Sequence, residues 1–110
     1  MLTRLLALSA LFVTAGASYE ARAQEPGSPA KGLNYAQQVC ALCHAVRKGD
    51  QSSPNPLAPN FEAIANTSGV SGISLATILH STHENMPNFV LSANEQDNIV
   101  AYILSLKHEP

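Results

Sequence analysis

Apolar residues recur at helical spacing in three stretches of this chain, and alternation of useful strand length appears in none. Leu33, Ala36, Val39 and Leu42 mark one face of a helix over residues 32–45. Leu75, Ile78 and Leu79 mark a second over 73–81. Ile99, Ile103 and Leu106, flanked by Val100, Tyr102 and Leu104, mark a third. Ser92-Ala93-Asn94-Glu95 introduces that last helix as a capping box, in which Ser and Glu each satisfy the other's free N–H. A shorter helix fits residues 61–65, with Asn60 as its cap and Glu62 in its first turn.

Between these stretches the polar and helix-breaking residues set the joints. Residues 47–59 hold Gly49, Pro54, Pro56 and Pro59, so this segment reads as a loop. Residues 66–72 form another break. Residues 83–91 read as irregular, and Pro87 biases Met86 away from helical geometry. Gly32 either starts the first helix or lets another helix pass close to it. The fold class expected is all-α, with three to four helices.

The N-terminus has a different pattern. Arg4 precedes a mostly apolar run over residues 5–17, and Ala21-Arg22-Ala23 follows as a small-x-small cleavage pattern. Residues 1–23 therefore read as a signal peptide. The apolar run falls short of the roughly 20 residues a membrane span needs, which disfavours an uncleaved anchor. Residues 24–31 read as a flexible lead-in, and 32–110 as one domain. An exported chain reaches an oxidising compartment, the periplasm in a bacterium.

Composition narrows what such a domain can do. Residues 24–110 carry Lys31, Arg47, Lys48 and Lys107 against seven acidic side chains, about −3 in all. Nucleic-acid binding wants a basic face, and membrane-surface binding wants a polybasic patch, so neither is expected. There is no Trp, and the aromatics beyond the leader are Tyr35, Phe61, Phe89 and Tyr102. A core this small is marginal unless something large and apolar fills it.

Cys40-Ala41-Leu42-Cys43-His44 supplies that filler. C-x-x-C-H marks covalent attachment of a c-type haem: the two thiols reach the two vinyl groups, and the His is placed over the ring to bind iron. Three other readings compete. A zinc site needs about four ligands, and His80, His83 or His108 would have to complete the set. A redox dithiol wants a βαβ context, and none is visible. A Cys40–Cys43 disulfide closes too small a loop to stabilise much.

A six-coordinate iron needs a second axial group, from Met86, His80, His83 or His108. Met86 is favoured: enough chain separates it from His44 to wrap a porphyrin, it sits in a loop, and His/Met ligation raises the potential of a cytochrome c. His83 is the rival, giving a lower-potential bis-His site. His80 reads as a helix-surface or haem-edge residue, and His108 as solvated near the chain end. Without the haem motif, Met86 would read as a core filler. A ligating His donates its other ring nitrogen to an acceptor, and the Pro59 carbonyl is the choice here, with Pro56 in reserve. The alternative is that these prolines only stiffen the loop.

These residues together resemble the class I (mitochondrial-type) monohaem cytochromes c in their small bacterial exported form. Carrying the resemblance are Cys40 to His44, then Ala58-Pro59-Asn60-Phe61, then Met86-Pro87-Asn88-Phe89 with Leu91-Ser92, then Ala101-Tyr102-Ile103. It covers essentially all of residues 24–110. The resemblance implies a compact all-α fold around one covalently attached haem c per chain. It also implies that the first and last helices cross closely, with Gly32 and Ala36 meeting Tyr102 and its neighbours.

The expected function is one-electron transport in the periplasm, without enzymatic activity. Expected partners are transient redox proteins, with no nucleic acid, no stable membrane insertion and a monomeric chain. Two alternatives stay open: a haem enzyme or gas sensor with an open distal position, and an electron-transfer subunit of a larger oxidoreductase.

Overall fold

The computed structural model describes residues 27–83 and 85–110. The expected signal peptide and residues 24–26 lie outside the described residues. Among the described residues, helices α1 (Pro29–Gln38), α2 (Phe61–Ala65), α3 (Gly72–His80) and α4 (Ala93–Ser105) form the architecture, with a 3-10 turn at Cys40–Leu42. Among the described residues there is no strand, only an isolated bridge between His83 and Met86. The all-α expectation holds.

Two boundaries of the first helix differ from the sequence pattern. It starts at Pro29 rather than Gly32, because Ser28 caps it: the Ser28 hydroxyl accepts from Lys31 N, and Pro29 takes the first helical position, where its missing N–H costs nothing. Residues 28–31 are therefore cap and first turn rather than lead-in. The helix ends at Gln38 rather than running to 45. Val39 leaves regular geometry at φ −119°, and the chain tightens into the 3-10 turn.

The other helices are set by local chemistry. Asn60 caps α2, its side chain accepting from Ala63 N at 2.7 Å. Ser71 and Ser74 form a reciprocal capping box at the start of α3. Ser92 and Glu95 do the same for α4, with Ser92 N donating to Glu95 Oε2 at 2.8 Å. That backbone bond, followed by one from the Ser92 hydroxyl, holds the Glu95 carboxyl below the usual range.

α1 and α4 cross at close range, and glycine permits it. A Cβ on Gly32 would run into the Asn98 carbonyl and sit 2.7 Å from Tyr102 Cβ. Gly32 is therefore the close-approach residue of this crossing and not a helix start. Ser28 N donates to Asn98 Oδ1 at 2.7 Å, tying the start of α1 to the same turn of α4. Ala36, fully buried, joins Tyr102, Ile99, Ile103 and Leu106 in the core, with Val46, Phe61, Ala65 and Leu75. Each fully buried large apolar side chain contributes on the order of 1.5–3 kcal/mol.

The C-terminal end folds back on α2. Lys107 Nζ donates to Val70 O at 2.7 Å, and His108 N donates to Asn66 Oδ1 at 2.8 Å. His108 is exposed, as expected, and its Nε2 also lies 2.9 Å from Glu62 Oε1.

Candidate haem site

The C-x-x-C-H run sits where α1 gives way to the 3-10 turn. Cys43 N and His44 N both donate to Cys40 O, at 3.1 and 2.9 Å. The turn is tighter than an α-helix; Cys40 opens it, Cys43 caps its end and His44 leaves it directly.

The segment that follows is held from several sides. Asn55 N donates to Cys43 O at 3.1 Å, Ala45 N to Ser53 Oγ at 2.9 Å, and Phe61 N to Ala45 O at 2.9 Å. The Tyr102 hydroxyl donates to Val46 O at 2.5 Å. Burial pushes the Tyr102 pKa up, so this phenol stays a donor. The proline-rich loop and α4 thus both clamp residues 43–46. No local pattern signals the part played by Ser53 or by the Tyr102 hydroxyl.

His44 is half-buried, and its Nδ1 lies 2.7 Å from Pro59 O. A carbonyl only accepts, so Nδ1 carries the hydrogen, which in the neutral ring puts the lone pair on Nε2. The Phe61 ring lies against the imidazole, with centroids 5.4 Å apart.

A largely apolar hollow opens between α1, α3 and α4. Val39, Cys40, Leu79, Met86, Phe89 and Ile99 line it, with Tyr35 and Leu91. Cys40 and Met86 are therefore brought to one hollow. His44 borders a different and more open one, with Gln37, Ala41 and Arg47 among its walls. Met86 N donates to His83 O at 3.1 Å, closing a tight turn. His83 Nδ1 lies 3.1 Å from Ser81 O, and His83 is not among the residues lining the apolar hollow. His80 is exposed in the last turn of α3.

The thiols bear on the readings of C-x-x-C. Cys40 and Cys43 are both free. Burial pushes the Cys40 thiol up to about 11, the reverse of the lowered value that makes a redox dithiol reactive. Among the described residues no three His, Cys, Asp or Glu side chains gather into a metal-holding group, so the zinc reading gains no support from them. The residues suit a porphyrin in their chemistry: the hollow is apolar with the Cys40 thiol and Met86 in its wall, and His44, at the end of the same turn, has its Nδ1 turned to Pro59 O.

Comparison with known proteins agrees. The family model for cytochrome c matches residues 29–107. Cytochrome c-552 of Bradyrhizobium diazoefficiens is 35% identical over 97 residues, covering 88% of this chain and 89% of that protein. No solved structure matches significantly. With the motif, the helical fold and these matches together, the chain belongs to the cytochrome c family and carries covalently attached haem c with its iron.

Proposed function

We propose that this chain is a periplasmic one-electron carrier whose haem iron is held between His44 and Met86, with Pro59 supporting His44. The observation that carries this reading is the pairing of His44 Nδ1 with Pro59 O, which leaves Nε2 for the metal at the last residue of the attachment motif. Haem c, joined through Cys40 and Cys43, supplies a single-electron Fe(II)/Fe(III) couple.

The chain's own residues tune that couple. Pro59 O draws on the Nδ1 hydrogen, which raises the donor strength of Nε2 and fixes the ring's tautomer. Met86 offers a neutral, soft sulfur from the apolar hollow, which favours the reduced state and a high potential. Leu79, Phe89, Leu91 and Ile99 make the lining of the hollow apolar, which would lower the dielectric around a bound haem. Held by both His44 and Met86, the iron would offer small ligands no open site, which suits electron transfer rather than turnover of a substrate.

The leader-like residues 1–23 support export. Among the described residues no helix is long and apolar enough to cross a membrane. The partners are other redox proteins met in brief encounters with small interfaces, and the chain works as a monomer.

The test is a redox titration of the purified holoprotein followed by optical spectroscopy. A reversible one-electron wave, a weak far-red band from methionine-to-ferric-iron charge transfer, and no carbon monoxide binding in the folded ferrous state are expected. Ready carbon monoxide binding without denaturant would contradict the carrier reading and favour an open distal site.

A further inference from the structure

Phe61 is 4% exposed, as an ordinary core residue would be. Its placement is more specific. Its ring centroid lies 5.4 Å from that of His44, with the planes tilted by 54°. Behind it stands Tyr102, at 6.4 Å and 49°. Both separations fall in the range where tilted rings attract one another.

The two rings are also fixed through backbone. Phe61 N–H donates to Ala45 O, the residue after His44, and the Tyr102 hydroxyl donates to Val46 O, one residue further on. Pro59, whose carbonyl takes the His44 hydrogen, lies just before the α2 cap that Phe61 follows. One short stretch of chain therefore supplies both the acceptor for the imidazole and the surface beside it.

The Cβ–Cγ bond and the hydrogen bond at Nδ1 hold two points of the imidazole and leave the ring able to rock about the line through them. A large, rigid side chain packed beside the ring removes this freedom. Phe suits the task because it has only two side-chain torsions and is buried in the core.

We propose that Phe61 is a positioning residue for His44: its ring, backed by Tyr102, sets the plane of the imidazole and keeps Nδ1 on the Pro59 carbonyl. This rests on His44 being the axial ligand proposed above. The direction of the imidazole plane decides which iron orbital its nitrogen overlaps. Phe61 thereby shapes the electronic state of the metal without touching it.

The experiment compares ferric holoprotein of wild type, Phe61→Leu and Leu75→Val by proton NMR and by reduction potential. Leu75 is 3% exposed in α3, so its variant reports ordinary core loss. Phe61→Leu is expected to redistribute the haem-methyl shifts and move the potential. Leu75→Val is expected to lower stability and leave both readouts in place. Phe61→Met fills the volume with a flexible chain and takes the place of Phe61→Leu if that variant does not fold, with the same expectation. Unmoved haem-methyl shifts and potential in the Phe61 variant, with His44 ring protons still paramagnetically shifted, would overturn the proposal alone. Absence of such His44 signals in wild type would overturn the ligand reading and the proposal with it.

Discussion

Tyr102 in α4 donates its phenolic hydrogen to the carbonyl of Val46, across 56 positions of sequence and inside the core. This one bond joins the last helix to the segment that leaves the attachment motif. Tyr102→Phe keeps the ring and strips the donor, leaving a buried carbonyl unpaired. A loss of about 1–3 kcal/mol is expected. Urea unfolding of the holoprotein checks it: the midpoint should fall with an unchanged slope.

Gly32 carries the crossing of α1 with α4. A methyl group there meets the Asn98 carbonyl, which belongs to helix backbone and cannot swing aside. Gly32→Ala is expected to cost about 3 kcal/mol or more, at or above the upper end of overpacking penalties. Gly49→Ala provides the contrast: the added methyl would have nothing within 4 Å, and only the backbone angle of +87° opposes the change. Thermal unfolding should show Gly32→Ala as clearly the worse of the two.

How far the fold is readable in the sequence follows from these cases. Asn60, the Ser92–Glu95 box and C-x-x-C-H are local, so residue types at fixed offsets are enough. Ser28-Pro29 reads as lead-in because Pro, Gly and Ser also make loops, although Ser at the cap with Pro next is a helix start. The break at Val39 is hidden because Leu33, Ala36, Val39 and Leu42 keep helical spacing through a turn of tighter pitch. Ser71 and Ser74 make a box without the usual Glu or Gln. The need of a ligating imidazole for an acceptor points to a loop proline, but only the loop's path distinguishes Pro59 from Pro56. Tyr102 with Val46, and Phe61 with His44, are tertiary pairs that no local pattern encodes.

Acid pH should expose the C-terminal clasp. The Glu62 carboxyl is held below its ordinary 4.5, first by the hydrogen bond from His108 and then by the Gly49 N–H. A depressed folded value means the stabilisation is complete above the unfolded pKa and is lost as pH falls through the folded one. Wild type should therefore lose more stability than Glu62→Gln as pH is lowered from about 5 to about 3. Equal losses in urea titrations at the two pH values would count against the clasp.

Met86→Ala separates ligand from filler. Haem should stay attached through Cys40 and Cys43, the far-red charge-transfer band should vanish, and the potential should drop as the soft sulfur is lost. Optical spectra and a redox titration of the variant are the check. An unchanged spectrum would remove Met86 from the iron.

The most direct measurement is the mass and colour of the polypeptide purified from a host that matures c-type haem, before and after extraction with acidified organic solvent. Wild type should be red, heavier than its chain by one haem, and unchanged by extraction, whereas a Cys40→Ala, Cys43→Ala double variant should surrender any colour it holds. A colourless wild-type chain, or one whose pigment washes away, would contradict the thioether-bound iron centre on which the carrier reading depends.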